Sequence, residues 1–585
     1  MEGTKYTYHI NSMQLKNGTP FVPGRINVFV GANNCGKTQL LKDMLSYITG
    51  SNVSPVILNE MDVTYPDTWE AFKDSYEMNI AQTAHGIQLR HISPTLDADP
   101  SGPTMSDLED RLQRWLQSNK ALFRSNTGAG MVTYLNTDNR LRLAMSQTVQ
   151  KDLQNRGPQN VLEALYVAGI ESTMKVRECI KRIFNTDVYL DTSNLGMIQY
   201  RVGTDFSPIP ENSQAAYKEL IQYPLLDGQG DGLRSVLGMV SALVSLKKPI
   251  ILLDEPEAFL HPPQALQLGE IISDLVGESQ QIFIATHSAD FLRGLIGTSK
   301  DAVIVRIERS PNDDANARVL DSATLNQIVT DPLLSSSRVL EGMFYKGVVA
   351  TEADADAVFY QRLFQKIGAS DEIHFVNAHN KQTLKKIINP YQKLGIKFAM
   401  IADADVIRDT REFKDILEVC LDKELTKQIL TDRETILAYF RRKSKYELLS
   451  ELQADTLAFA SQQLPDENAK TEDIEKAYAD FRSTLKKLRE ESDELADLKK
   501  HGRSALPTEE AFAFDSMWQA CTKVGLFIVR VGELESWLVD YGIERTSNKS
   551  RWITNALDKI FHLEYDEEKE IWKFVDALRT FLIDI

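Results

Sequence analysis

The sequence predicts an α/β chain in two parts: a P-loop nucleotide-binding head with a helical insertion, then a Rossmann-like domain with a helical insertion of its own. Three observations predict this. Gly31, Gly36, Lys37 and Thr38 satisfy G-x-x-x-x-G-K-[ST] between an apolar run and a helix-patterned one. A second apolar run, Ile250 to Leu253, ends on Asp254 and Glu255. A third, Phe398 to Ile401, ends on Asp403 and Asp405. Short apolar runs alternating with helix-patterned stretches are the mark of α/β domains.

The first element is "RINVFVGANNCGKTQLLKDML", which reads as a buried strand, a glycine loop and a helix. Gly31, Asn33, Asn34 and Gly36 form a loop whose backbone N–H groups can wrap a phosphate chain at a helix N-terminus. Lys37 would then reach the β- and γ-phosphates, and Thr38 would ligate Mg²⁺. Downstream, in "KKPIILLDEPEAFLHPPQ", Asp254 would complete the Mg²⁺ shell and Glu255 would polarise the attacking water. "QQIFIATHSADFL" is another apolar strand and ends on His287. A lone histidine is usually structural, but one at the end of the strand after an Asp-Glu pair can contact the γ-phosphate. Between these blocks, "LLDGQGDGLRSVLGMVSALV" is a glycine-rich turn before an apolar helix, carrying Gly230, Asp231, Gly232 and Arg234. That turn could equally do no more than cap its helix.

The stretch separating the P-loop from these blocks is too long for a loop. Its middle, "SDLEDRLQRWLQSNKALF" and "GPQNVLEALYVAGIESTMKVRECIKRIF", has apolar residues at three- and four-residue spacing, so a helical lobe is expected over 61–199. The strands "DVYLDTS" and "MIQYRV" are expected to return to the main sheet. Polar, turn-rich residues from Asn312 to Asp331 and then "RVLEGMFYKG" mark the end of the head.

Beyond that boundary, "KGVVATEADADAVFYQRLFQKIG" is a strand running into Glu352 and a helix carrying Asp356. Four residues apart at a helix start, the two acids share a face, and the helix dipole eases their repulsion. Capping alone would also account for them. A strand, a helix and the strand ending at Asp403 and Asp405 follow. Residues i and i+2 of a strand point the same way, so these aspartates repel unless a cation separates them. A hard divalent cation would do so, although a plain turn also favours aspartate. Next come charged, helix-patterned residues, including "EDIEKAYADFRSTLKKLREESDELADLKK", that read as a solvated arm. The sheet resumes at "KVGLFIVRVGELESWL". There Glu533 and Glu535 are both candidate ligands, and Glu535 is favoured because it follows Leu534 and precedes Trp537.

Composition bounds the class. A chain of 585 residues suggests about three or four domains. With 43% hydrophobic and 25% charged residues, it can bury real cores. Its four cysteines include no C-x-x-C pair, which argues against disulfides and zinc. No apolar run is long enough to span a bilayer and no leader pattern opens the chain, so a cytoplasmic protein is expected. The net charge of −17 argues against a generally basic nucleic-acid binder. It leaves room for DNA contacts that bound metals make possible.

The blocks at Gly31–Thr38, Gly230–Arg234, Asp254–Glu255 and His287, in this order, resemble the ABC-type ATPase heads of chromosome-maintenance and DNA-repair ATPases. The signature around Gly230 departs from L-S-G-G-Q toward the form of the overcoming lysogenization defect (OLD) family. Strand–Glu352–helix, strand–helix, strand–Asp403-x-Asp405 resembles a Toprim domain, with Ala353 where glycine is usual and "NAHNK" where paired glycines are common. Leu534 and Glu535 match the Leu-Glu pair with which OLD-family Toprim domains resume, and some members use a downstream lysine, for which Lys549 is a candidate that no spacing requires.

The resemblance implies an ABC-type ATPase over 1–60 and 200–310, with a helical insertion or dimerisation lobe over 61–199. It implies a Toprim nuclease domain over 340–411 and 520–585, interrupted by a helical insertion over 412–519. It further implies an ATP-dependent endonuclease that uses Mg²⁺ or Mn²⁺ held by Glu352, Asp356, Asp403, Asp405 and Glu535 to cut DNA. A homodimer or dimer of dimers is expected, because signature loops of this type work in trans. Relatives include nuclease subunits of Gabija-type and retron-linked antiphage systems, which implies a helicase-like partner or a reverse transcriptase with its retron DNA. An ATP-gated DNA clamp or a strand-passage enzyme is the alternative.

Overall fold

The apolar runs of the first part become a six-stranded sheet. In chain order its strands are β1 (Ile26–Val30), β2 (Val132–Leu135), β3 (Ile250–Asp254), β4 (Gln281–Ala285), β5 (Val303–Arg309) and β6 (Ala315–Val319). They lie side by side as β6-β5-β1-β4-β3-β2. Every pairing is parallel except β5 with β6. β1, β3 and β4 are buried at every residue, as strands covered on both faces must be. Their register matters for function. Asp254 of β3 stands opposite Ala285 of β4, which stands opposite Phe29 of β1. The carboxyl ends of three adjacent strands therefore open on one edge, where ligands of α/β sheets bind.

The computed structural model divides the chain into two units, Met1–Phe344 and Tyr345–Ile585, the break falling inside "RVLEGMFYKG". It describes residues 8–583 apart from 17, 19, 52, 66–78, 84–85, 91–113, 150–157, 195, 207, 247, 300, 310–314, 321, 332–333, 335, 370–371, 378–380, 418–422, 443–449, 451–452, 455, 459, 462–469, 492–494 and 547–548. Part of the "SDLEDRLQRWLQSNKALF" pattern and most of "NAHNK" lie outside the described residues.

Three expectations for the first unit are corrected. The 61–199 stretch is not wholly helical. It holds helices at Lys120–Met131, Val161–Ala168 and Ile170–Phe184, but also β2, which pairs with β3 at the edge of the main sheet. β2 is four residues long, too short for strand alternation to show in the sequence. Secondly, Asp187–Asp191 and Met197–Gly203 do not return to that sheet. They pair with each other and with Gln147–Thr148 in a separate three-stranded antiparallel sheet. Strands joined by a short turn find each other before a distant edge. Thirdly, the polar stretch Asn312–Asp331 contains β6 and a helix at Ser322–Thr330.

The helices that frame the first site are α1 (Lys37–Thr49), α2 (Thr137–Leu143) and α3 (Asp231–Ser245). α3 is buried almost continuously from Ser235 to Ser245, so it is a core helix behind its exposed glycine turn.

In the second unit the order is β7 (Gly347–Thr351), α4 (Asp354–Lys366), β8 (Ile373–Asn377), α5 (Lys381–Lys393) and β9 (Lys397–Ala402). The insertion supplies α6 (Lys423–Arg442), α7 (Thr471–Glu491), α8 (Ala496–His501) and α9 (Thr508–Lys523). β10 (Leu526–Ile528), α10 (Lys549–His562) and α11 (Glu570–Ile583) complete it. The sheet is parallel, in the order β8-β7-β9-β10. From β7 the chain moves one way to β8 and then crosses to β9 on the other side, which leaves a switch point between β7 and β9. The described part of α7 is mostly exposed, as its mixed-sign charge predicts.

Candidate functional sites

The P-loop leaves β1 at Gly31, whose φ of 143° only glycine adopts freely, and enters α1 through Gly36 at φ 100°. Asn33 and Asn34 are exposed on its crest. Lys37 is buried and folds onto its own loop, donating to the Gly31 carbonyl at 2.8 Å and to Ala32 at 3.1 Å. Burial lowers its pKa. The Thr38 hydroxyl donates to Asp254 Oδ1 at 2.9 Å, so the two oxygens expected to share a cation are adjacent. Burial raises the Asp254 pKa, and the Thr38 hydrogen bond opposes that shift. An oxygen-only pair of this kind fits Mg²⁺.

Glu255 has a left-handed backbone, φ 47°, which costs a residue with a side chain about 1–3 kcal/mol. Its Oε1 lies 3.1 Å from His287 Nε2. Burial, and then the Lys37 charge, push His287 down to about 4, so the ring is neutral at physiological pH. The structure thus brings Lys37, Thr38, Asp254, Glu255 and His287 together at one sheet edge. Gly230 and Gly232 open α3 instead, where Gly230 and Asp231 are exposed and Arg234 pairs with Asp231 at 3.0 Å.

Two residues of this site escaped the sequence reading. Glu257 accepts from the Thr286 hydroxyl and from the His287 backbone N–H, both at 2.8 Å, and burial raises its pKa. Its position in "DEPE" was the available signal. Arg140, buried on α2, had none. Burial pulls its guanidinium down to about 10, against the pull of Glu257, Asp254 and Glu255, so it stays charged.

In the second unit Glu352 follows β7 and Asp403 follows β9, the two strands that flank the switch point. Asp356 sits in the first turn of α4, where its Oδ2 accepts the Ala353 N–H at 3.1 Å. Capping is therefore part of its role. Asp356, Asp403 and Glu535 all act on Tyr360. Burial first, and then these three carboxylates, hold its hydroxyl protonated well above the usual range, against a hydrogen bond from Trp537 Nε1 at 2.8 Å. The loop after β10 is tied to the aspartate turn by the Ala404 N–H, which donates to the Gly532 carbonyl at 2.7 Å.

Asp405 faces cations, Lys499 of α8 at 3.6 Å and Arg408 at 3.8 Å. Glu533 is paired with Arg545, whereas Glu535 is one of the carboxylates whose charge raises the Tyr360 pKa. Among the described residues, no group of three or more His, Cys, Asp or Glu side chains is placed so as to hold a metal ion. The donor chemistry of the five acids is still that of a hard divalent cation. Lys549 opens α10, and its side chain lies outside the described residues. Lys499, inside the charged insertion, was missed because charge pattern says nothing of which end folds back.

These features define a class, a P-loop ATPase head joined to a Toprim domain. Residues 218–293 match the AAA domain family AAA_21, whose description also names an AbiEii toxin of a type IV toxin–antitoxin system. Residues 343–405 match the TOPRIM domain of proteins like the overcoming lysogenization defect protein. The chain is similar to the Old nuclease of Escherichia phage P2, 25% identical over 220 residues, 34% of this chain and 37% of that protein. It is also 24% identical over 194 residues, 33% of this chain, to an energy-coupling factor transporter ATP-binding protein of Methanosphaera stadtmanae. The chain thus spans 37% and 58% of the lengths of these two relatives.

Among solved structures, an Smc head bound to the C-terminal winged-helix domain of ScpA is similar at TM-score 0.33 and 10% identity, over 54% of this chain and 98% of that one. The SMC head domain of Thermotoga maritima gives TM-score 0.28 at 9% identity, over 54% and 99%. The two matched stretches are an ATPase domain and an OLD-like TOPRIM domain in one chain, and the similarity to the Old nuclease is in keeping with that pairing. Among the described residues, no helix is long and apolar enough to cross a membrane.

Proposed function

We propose that this protein is an ATP-hydrolysing, Mg²⁺- or Mn²⁺-dependent DNA endonuclease, serving as the nuclease effector of a bacterial antiphage defence system. The observation that carries the cleavage reading is that Glu352 and Asp403 directly follow β7 and β9, the two strands that flank the switch point of a parallel sheet. Carboxylates brought together in this way repel one another without a cation. Glu352, Asp356, Asp403, Asp405 and Glu535 would hold the metal, which when bound neutralises charge on the attacking and leaving oxygens of a phosphodiester. Lys499 and Arg408 offset the charge of Asp405 and can draw in a DNA phosphate.

In the head, Lys37 and the P-loop backbone bind the nucleotide phosphates, and Thr38 and Asp254 hold its Mg²⁺. Glu255, whose Oε1 lies 3.1 Å from Nε2 of the neutral His287 ring, orients water for attack. The exposed turn at Gly230 and Asp231 is available to a second copy, which favours a homodimer or a dimer of dimers. A helicase-like protein, or a reverse transcriptase with its retron DNA, is the proposed defence partner. Tyr360 is 1% exposed and held protonated, which disfavours it as a strand-passage nucleophile.

Circular plasmid incubated with the protein and Mg²⁺ or Mn²⁺, with and without EDTA, tests the reading. Nicked or linear DNA that EDTA prevents is expected. A shifted but intact band would instead make the protein a clamp, and changed supercoiling without breaks a strand-passage enzyme.

A further inference from the structure

Arg140 is the feature of the first unit that the proposed chemistry leaves unused. It has 0% exposure, and a charge so buried persists only with all its donors directed at acceptors. Its Nη1 donates to the Asp254 carbonyl at 2.6 Å and its Nη2 to the Glu255 carbonyl at 2.8 Å. Its Nε donates to Ser235 Oγ at 3.2 Å, on the helix whose first turn is the glycine signature. α2 is built to hold it there. Asn136 caps the helix and exchanges hydrogen bonds with Asn139, whose amide in turn grips the Tyr134 carbonyl at 2.8 Å. α3 approaches so closely that a Cβ at Gly238 would lie 2.2 Å from the Arg140 carbonyl.

The residue whose carbonyl Arg140 grips is also the strained one. Glu255, at φ 47°, aims its carboxylate at His287, and a left-handed non-glycine residue persists only where its surroundings hold it. The Ala258 N–H, at 3.0 Å, is the other donor to that carbonyl and belongs to the same local turn. Arg140 anchors the turn from outside.

We propose that Arg140 is a positioning residue for ATP hydrolysis, fixing Glu255 in its reactive conformation and joining it to the helix that bears the signature glycines. The inference rests on the ATPase reading. A nucleotide or second subunit that shifts the signature turn moves α3, and through Ser235 and Arg140 that shift reaches the catalytic glutamate. The guanidinium makes no contact with phosphate in this role, so its loss changes turnover and spares affinity.

The test uses full-length protein carrying Arg140→Lys, Ser235→Ala or Glu255→Gln, and the double variant Arg140→Lys/Glu255→Gln. Lysine keeps the charge but cannot donate to both carbonyls and Ser235 in one plane. Arg140→Lys is expected to lower kcat about 10- to 100-fold, the order that a misplacement near 1 Å costs. Affinity for a fluorescent ATP analogue should stay at the wild-type value. Added to Glu255→Gln, the same substitution should cause no further loss of the residual single-turnover rate, because it acts through the glutamate. Ser235→Ala, the milder variant if Arg140→Lys folds poorly, should lower kcat several-fold, again at unchanged affinity. Wild-type kcat in either single variant, a parallel loss of nucleotide affinity, or additive losses in the double variant would overturn the proposal. A wild-type protein that hydrolyses no ATP, with Lys37→Ala indistinguishable from it, would mark failure of the ATPase reading itself.

Discussion

Glu533 and Glu535 stand two residues apart and differ in surroundings: Arg545 pairs with the first, whereas the charge of the second is felt by the buried Tyr360 hydroxyl. Glu535→Ala should therefore abolish metal-dependent nicking while ATP hydrolysis stays near wild type. Glu533→Ala should leave the chemistry and cost stability, because it strips a half-buried arginine of its anion. Equal plasmid-cutting rates for the two variants would remove Glu535 from the ligand set. In the head, Lys37→Ala should lose nucleotide binding. Glu255→Gln should bind ATP but turn it over about 10²- to 10⁴-fold more slowly, the usual worth of a general base. Binding by filtration and turnover by phosphate release separate the two.

His287 adds a pH dependence. Its pKa is pushed down to about 4 in the folded protein, against about 6.5 in an unfolded chain. The unfolded state thus takes up the proton first. This contribution to stability is fully present above about pH 6.5 and is lost as pH falls toward 4. Urea midpoints measured from pH 7 to pH 4.5 should fall less steeply in His287→Gln than in wild type.

At the scale of elements, the insertion of the second unit does more than form an arm. Arg433 of α6, 1% exposed, donates to the Ile407 carbonyl at 2.7 Å and to the Arg408 carbonyl at 3.1 Å. From the other end of the insertion, Lys499 and Lys500 of α8 lie against Asp405 and the Glu535 loop, where the Lys500 carbonyl accepts from Ser536 at 3.2 Å. The insertion thus brackets the turn that carries Asp403 and Asp405. Gly532 makes this fit possible. At φ 109°, a Cβ there would lie 2.2 Å from the Lys499 carbonyl. Gly532→Ala should destabilise the second unit by roughly 1–3 kcal/mol and weaken cleavage, with ATP hydrolysis unaffected. Calorimetry together with paired nicking and ATPase assays would check this, and an unchanged melting temperature would refute it.

At the scale of the whole molecule, net charge sets how this chain can meet DNA. With 83 acidic against 66 basic residues, it repels a polyanion at long range, and divalent cations at the acid cluster are the expected remedy. DNA binding measured by fluorescence anisotropy should therefore collapse on adding EDTA, rather than only lose cleavage. An exposed signature turn predicts assembly as well. Light scattering with ATP and Glu255→Gln protein should give at least twice the 66.1 kDa chain mass. A strictly monomeric mass in both states would exclude catalysis in trans.

The P-loop, the Asp254–Glu255 pair and the acids at 352, 403 and 405 stood out in the sequence as candidates because each lies at or just past the end of an apolar run, and Asp356 because it falls in the first turn of the helix after Glu352. Strand ends are local, and residue type there reports chemistry directly. The four-residue strand β2 was not legible, because only pairing with β3 makes it a strand. Nor were Arg140, Arg433 and Lys499, which reach the Asp254 carbonyl, the Ile407 carbonyl and the Asp405 carboxylate from 114, 26 and 94 positions away in the chain (254 − 140, 433 − 407, 499 − 405). The sequence by itself determined which groups are candidates for phosphate and metal, since those groups recur in short motifs with set spacing. Only the tertiary structure decided what holds them. A buried cation finds its acceptors through packing, and packing has no period along the chain.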